Sequence, residues 1–298
     1  MTIGANPFPT AHPRGEGLRT RRICSPFPLR EGGWGVRFSV LVLRNGPGVF
    51  SMIDIVDVTK QYGPKVAVKN LSLHVPAGEL FAFLGPYGAG KTTTIKLLCG
   101  LLFPTTGTVR VGGYDLKTQG DLARAVISYV PDQPFLYEKL TGREFRQFTA
   151  DLYGMSSDRT RDKIAEVIEL FHLDDFVDDL TERYSHGMRQ RTVFAAALVH
   201  EPKLLIADEP TVGLDPKSIR ELKTLLRELA ANGMTVFLST HTLDIAQELA
   251  DRIGIIDHGR LCGCGTMADL RKQAARDGSL EDLFLAITEE ATAETSST

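Results

Sequence analysis

The run Gly85-Pro86-Tyr87-Gly88-Ala89-Gly90-Lys91-Thr92 holds the residue types that a polyphosphate requires. Glycines let a loop curl so that several backbone N–H groups point inward at an anion. Lys91 would reach the β- and γ-phosphates as a point charge, and the Thr92 hydroxyl would bind Mg²⁺. A helix opening near Lys91 and running on through Thr93 adds the positive end of its dipole. More chemistry lies far along the chain, where Leu204-Leu205-Ile206-Ala207-Asp208-Glu209 is an apolar run ending in two acids. Beside a phosphate loop, Asp208 would hold Mg²⁺, directly or through water, and Glu209 would polarise an attacking water. Paired acids after a strand can also be a plain helix cap. His241 follows another apolar run; a lone histidine is usually structural, but this one could donate to the γ-phosphate and orient the water. Tyr62, in the turn-like run Lys60-Gln-Tyr-Gly-Pro64, carries a ring that could stack on adenine.

These residues need a scaffold that brings them together. The apolar run 80–84 reads as a buried strand feeding the phosphate loop, and 93–99 as the start of the helix after it. Strands are predicted at 52–58, 71–75, 108–111, 127–130 and 203–207. Helical spacing of apolar residues marks 144–153, 161–171 and 187–199. From 203 onward strands and helices alternate: helix 217–231, strand 235–239, helix 243–250, strand 252–256. That alternation implies a largely parallel sheet with helices on its faces, and ligands then bind beyond the carboxyl ends of its strands. A last amphipathic helix is predicted at 279–288, and the Ala/Thr/Glu/Ser end, 289–298, reads as a flexible, solvated tail.

At 298 residues the chain is long enough for one large α/β domain or two small ones; its composition, with a net charge of −3, is that of a soluble globular protein, and no basic stripe points to nucleic acid. No apolar run approaches the roughly 18 residues of a membrane span, so any spanning part must come from a partner. The four cysteines lie apart except for Cys262 and Cys264, which read as reduced thiols rather than a metal site. Residues 1–51 differ from the rest, with seven arginines, two glutamates and no lysine. Phrases such as Asn6-Pro-Phe-Pro and Ser25-Pro-Phe-Pro carry no strand or helix period. Residues 1–51 are expected to be a disordered extension or a misassigned start, with Met52 the sufficient one; an export signal is disfavoured by the prolines after Arg21-Arg22.

Residues 52–288 resemble the nucleotide-binding subunit of an ATP-binding cassette (ABC) transporter. Gly85 to Thr92 resembles its Walker A loop, and Leu204 to Glu209 its Walker B strand with the following glutamate. Tyr184-Ser185-His186-Gly187-Met188 sits where the Leu-Ser-Gly-Gly-Gln signature belongs. Gly213-Leu214-Asp215 resembles the D-loop, His241 the switch histidine, and Tyr62 the adenine-stacking position. The resemblance implies a P-loop NTPase core of α/β class with a mostly parallel sheet, an antiparallel β subdomain and an inserted helical subdomain near 134–183. It implies ATP and Mg²⁺ as ligands and an ATPase that powers transport. Each ATP would lie between the Walker motifs of one subunit and the signature of the other. With one loop and one signature, this chain must pair with a copy of itself or with another such chain. Ser185 and Gly187 would then contact the opposing γ-phosphate, while His186 would either face that phosphate or turn its ring to solvent. A separate integral membrane permease would hold the subunit at the cytoplasmic face of the cell membrane, with Phe135, Leu136 and Tyr137 as candidate contacts.

The chain departs from the pattern in places. His186 and Met188 replace the usual Gly and Gln, and Tyr87 replaces a small polar residue that contacts the partner's D-loop. The Q-loop glutamine is normally next after the strand-ending proline, but here Pro131 is followed by Asp132 and then Gln133, and either could serve. Ser-His-Gly-Met-Arg-Gln-Arg, Pro-Phe-Leu-Tyr-Glu-Lys-Leu-Thr-Gly and the late Leu280-Glu-Asp-Leu-Phe-Leu together resemble the ABC-2 type exporter branch. The alternative is a soluble ABC ATPase of DNA repair or translation, against which stand the absence of a coiled-coil insertion and of a second cassette in the sequence. A small P-loop kinase is a third reading, disfavoured by the signature region.

Overall fold

The structure, a computed structural model, describes residues 51–275 and 278–296, so the expectation for the N-terminal extension lies, but for Ser51, outside the described residues. Two sheets carry the fold. Strands β1 (Ser51–Tyr62), β2 (Lys65–Pro76), β4 (Thr106–Val111) and β5 (Tyr114–Asp115) form an antiparallel sheet in the order β2-β1-β4-β5. The larger sheet takes β3 (Leu80–Leu84), β6 (Ile127–Val130), β7 (Leu204–Asp208), β8 (Thr235–Thr240), β9 (Arg252–Asp257) and β10 (Arg260–Gly265). Its order is β10-β9-β3-β8-β7-β6, parallel throughout except at β10. β3, β7 and β8 are buried along their whole length, which is why β3 and β7 up to Asp208 read as continuous apolar runs rather than alternating ones, while β8 carries its hydroxyl residues at its two ends.

Alternation within β3 still sorts its side chains between two layers. Phe81 and Phe83 join the core between the sheets, where helix α1 (Lys91–Leu98) contributes Ile95, Leu97 and Leu98. Phe81 also stacks on Phe237 with ring centroids 5.6 Å apart. Ala82 and Leu84 face the other way, onto Leu270 of α8 (Met267–Gln273) and onto Leu280, Leu283 and Ile287 of α9 (Leu280–Ser296). Between these elements run α2 (Gly120–Arg124), α3 (Gly142–Leu152), α4 (Ser157–Leu170), α5 (His186–Leu198), α6 (Pro216–Ala231) and α7 (Leu243–Leu249). A capping box starts α3: Thr141 accepts from the Glu144 N–H at 3.1 Å and the Glu144 carboxylate accepts from the Thr141 N–H at 2.8 Å.

Several elements depart from the sequence expectations. β1 extends to Tyr62 because the polar residues 59–62 pair with β2 and β4 on the solvent side. β10, α2 and α8 were not predicted, since β10 is interrupted by two glycines and the two helices are short. α9 continues to Ser296, so the expected tail is helical to that point; alanine and glutamate are strong helix formers. Leu136 is 3% exposed and belongs to the core, whereas its neighbours Phe135 and Tyr137 are exposed and meet edge to face, ring centroids 5.6 Å apart.

His200 ties β6 to the end of α5. Its ring stacks on Tyr153 with centroids 3.5 Å apart, and its Nε2–H donates to the Ile127 carbonyl at 3.1 Å. Burial pushes its pKa down from 6.5 to about 4. Between those values the unfolded chain binds a proton that the folded one refuses. The contribution is therefore fully present above the unfolded value and is lost as pH falls through that window. We expect wild-type unfolding free energy to drop by about 2–3 kcal/mol more than that of His200→Phe between neutral pH and pH ~4. Denaturant titrations across that range check this, and parallel slopes would reject it.

Candidate nucleotide-binding site

The residues singled out by type converge at the carboxyl ends of β3, β7 and β8. The chain leaves β3 at Leu84, and the Gly85 N–H donates to the Thr240 carbonyl at 3.3 Å, anchoring the loop to the end of β8. A Cβ on Gly85 would sit 2.3 Å from the Ile256 carbonyl oxygen, so no other residue fits there without moving backbone. Gly90, the residue before α1, has φ +110°, and a Cβ there would come within 2.7 Å of the Ala67 carbonyl. Ala89 is buried and its carbonyl accepts from the Gly259 N–H at 2.9 Å, while Pro86 accepts from the Ala89 N–H at 3.2 Å. Gly88 (φ +81°) has open space around it. The loop is thus clamped at both ends and open at its crown.

Lys91 is buried, with its ammonium held in the loop's own cradle. Nζ donates to the carbonyls of Gly85 at 2.6 Å and Pro86 at 3.2 Å and lies 3.3 Å from Glu209 Oε1. The Thr92 hydroxyl donates to Asp208 Oδ2 at 3.4 Å, and the Ser239 hydroxyl donates to Asp208 Oδ1. Burial pushes the Asp208 carboxyl above the ordinary carboxylate range; the Ser239 hydrogen bond opposes the rise, and the charges of Asp132 and Glu209 add to it. A hydroxyl beside a carboxylate that is reluctant to stay charged suits a hard divalent cation such as Mg²⁺.

Glu209 adopts φ +46°, unusual for a residue with a side chain, and strained by about 1 kcal/mol. Its N–H donates to Ser239 Oγ at 3.2 Å. Its Oε2 accepts from the His241 N–H at 3.3 Å and from the His241 ring nitrogen Nδ1 at 2.9 Å. The plain helix cap is therefore not what these acids do, since Asp208 and Glu209 are held by Ser239, Thr92, Lys91 and His241. The hydroxyl of Tyr87 reaches the other His241 nitrogen, Nε2, at 3.3 Å. Ser239, which joins Asp208 to Glu209, was not singled out from the sequence; a hydroxyl at the carboxyl end of a fully buried strand was the available signal.

The remaining candidates do not join this cluster. Tyr62 is 45% exposed at the end of β1, with the Lys60 ammonium 5.1 Å from its ring centroid. Ser185 is the N-cap of α5 and accepts from the Met188 N–H at 3.3 Å. His186 is exposed, and its ring Nε2 donates to the Val212 carbonyl of the same chain at 3.2 Å, a contact that the sequence did not indicate. Gly187 has no heavy atom within 4 Å of where a Cβ would stand. Asp215 is the N-cap of α6, accepting from Lys217 N–H at 3.0 Å, Ser218 N–H at 3.1 Å and the Ser218 hydroxyl at 2.6 Å; that hydroxyl above all lowers its pKa. Of the Q-loop pair, Asp132 is the one whose charge acts on Asp208, while the exposed Gln133 donates its N–H to Asp132 Oδ1 at 2.8 Å.

Residues 68–212 match the ABC transporter family. The chain is 39% identical to the linearmycin resistance ATP-binding protein LnrL of Bacillus subtilis (strain 168) over 226 residues, covering 76% of this chain and 73% of that protein. It is 44% identical over 219 residues to the daunorubicin/doxorubicin resistance ATP-binding protein DrrA of Streptomyces peucetius, covering 74% of this chain and 66% of that one. Among solved structures it resembles the ATP-binding subunit of an ABC transporter, with TM-score 0.75 and 33% identity over 80% of this chain and 99% of that one. It also resembles the ATP-binding cassette MJ0796, solved as a dimer in a post-hydrolysis state with ADP and Pi, at TM-score 0.67 and 28% identity over 72% of this chain and 99% of that one.

Proposed function

The chain belongs to the ABC transporter family as its ATP-hydrolysing subunit, and from that premise we propose that it drives export through a separate membrane permease by closing on ATP as a dimer. The observation that carries this reading is the joining of Lys91, Thr92, Asp208, Glu209 and His241 into one bonded group at the ends of three adjacent strands. Export is supported by the names of LnrL and DrrA, both resistance proteins. Among the described residues no helix is long and apolar enough to cross a membrane, and a permease would supply that part. Phe135 and Tyr137, exposed beside Phe148, offer it an aromatic surface at the cytoplasmic face.

In the mechanism the backbone N–H groups of Gly88 and of Gly90 to Thr93 surround the phosphates, Tyr62 stacks on adenine, and Lys91 turns from Glu209 toward the β- and γ-phosphates. Thr92 and Asp208 would hold Mg²⁺, which neutralises charge on the transferring phosphoryl group when bound. Asp132 or Gln133 reaches toward that same position. Glu209 takes a proton from a water that attacks the γ-phosphorus; the bond to the β-phosphate oxygen breaks, and ADP and phosphate result. His241, fixed by Glu209, orients the γ-phosphate. Ser185, His186, Gly187 and Met188 complete the site in the opposing subunit, with Asp215 steadying the segment that His186 touches. Expression together with the permease should place the subunit in the membrane fraction and raise its ATPase rate; retention on ribosomes or DNA instead would reject the transport reading.

Gly187 separates folding from pairing. Its φ is not left-handed and a Cβ meets nothing in the subunit, so Gly187→Ala should leave the melting temperature unchanged. If a partner's nucleotide approaches that space, the same methyl should weaken ATP-driven dimerisation by at least about tenfold, roughly 1.4 kcal/mol. Analytical ultracentrifugation with ATP measures this, and an unaltered dimer would remove Gly187 from the interface.

A further inference from the structure

Tyr87 lies on the crown of the phosphate loop, 78% exposed, yet it is engaged at both ends of the site. Its ring centroid is 5.6 Å from Lys91 Nζ and 4.7 Å from the centroid of the His241 ring. Its hydroxyl is 3.3 Å from His241 Nε2. The roles in that contact follow from the far side of the imidazole. Nδ1 is 2.9 Å from Glu209 Oε2, and a carboxylate only accepts, so Nδ1 carries the proton. In the neutral ring Nε2 is then the acceptor, and Tyr87 is the donor that occupies it. The chain of contacts runs Tyr87 to His241 to Glu209 to Lys91 without a break.

We propose that Tyr87 is a positioning residue that holds His241 in a form unable to receive a γ-phosphate, and so sets how far the site prefers triphosphate over diphosphate. A phosphate oxygen is itself an acceptor and cannot pair with an Nε2 that is also one. To meet His241, the γ-phosphate must displace the Tyr87 hydroxyl, and Nε2 must take a proton from solvent while Nδ1–H stays on Glu209. A diphosphate has no γ-phosphate to present to His241 and leaves the Tyr87 contact intact. Lys91, beside the same ring, lies within reach of the β-phosphate of either nucleotide. The Tyr87 hydroxyl thus opposes ATP selectively and not ADP. This inference rests on the nucleotide reading above, because it takes His241 as the γ-phosphate ligand.

The test measures binding of the non-hydrolysable analogue AMP-PNP and of ADP by calorimetry, on the full chain. Tyr87→Phe removes one neutral hydrogen bond from the competing state and keeps the ring. It should tighten AMP-PNP binding by about threefold to tenfold and leave ADP unchanged. Tyr87→Asn, which also removes the ring, should shift in the same sense. In a His241→Ala background, Tyr87→Phe should alter neither nucleotide. Unchanged or weaker AMP-PNP binding in Tyr87→Phe, an equal shift for both nucleotides, or an effect that survives His241→Ala would each overturn the proposal. A wild-type chain that binds neither nucleotide would overturn the nucleotide reading and this inference with it, a result distinct from those three.

Discussion

Glu209→Gln is expected to bind ATP at least as tightly as the original protein and to hydrolyse it roughly 10²–10⁴-fold more slowly. An amide cannot take the proton of the attacking water, which accounts for the loss in rate. Binding should not suffer, for a reason visible in the site. Lys91 Nζ lies 3.3 Å from Glu209 Oε1 before any nucleotide arrives, so part of its charge is already engaged. Glutamine removes that competitor and leaves Lys91 free to turn to phosphate. The amide oxygen can still accept from the His241 N–H, which lies 3.3 Å from Oε2 in the parent chain. An ATP-loaded dimer should therefore accumulate. Phosphate release and sedimentation with ATP measure the two halves separately. Hydrolysis at the original rate would show that another group accepts the proton.

Lys91→Ala is expected to act on the other step, weakening ATP binding by about 10²–10³-fold, which corresponds to one or two charge-assisted hydrogen bonds. It should also lower the stability of the nucleotide-free subunit. The ammonium satisfies the carbonyls of Gly85 and Pro86 and faces the mostly buried Glu209. Alanine leaves these groups without their cation, and a buried charge stripped of its partner is strongly destabilising. Lys91→Met keeps much of the stem and isolates the charge. Titration with a fluorescent ATP analogue and thermal melts of both variants give the result. Retained ATP affinity in either variant would mean that Lys91 serves the loop's shape alone.

How far the chain could be read before its structure depended on the kind of signal. The strand at 80–84 was legible to the residue because both faces of β3 are covered and every position is apolar. The loop after it was legible because backbone sterics demand glycine at Gly85 and Gly90. β10 was not, since Gly263 and Gly265 interrupt its pattern and its order comes from pairing with β9. In the site, Lys91, Asp208 and Glu209 could be named from type and position. The contact between Tyr87 and His241 could not, because it joins residues 154 positions apart through side-chain directions that spacing does not encode. His186 is a similar case: its ring is captured by the Val212 carbonyl, a neighbour that no local pattern reveals.

The empty space over Gly187 has a genetic corollary. An alanine there would yield a subunit that folds, accumulates and resists proteolysis like the original. Such a subunit would remain available to occupy permeases, while a destabilised one would be cleared before it could interfere. On the dimer proposed above, a copy produced alongside normal ones would enter mixed assemblies and deprive the opposite subunit's nucleotide of its cover. Mutations at this glycine would then behave as dominant alleles, and mutations that merely unfold the core around Phe81 and Phe237 as recessive ones.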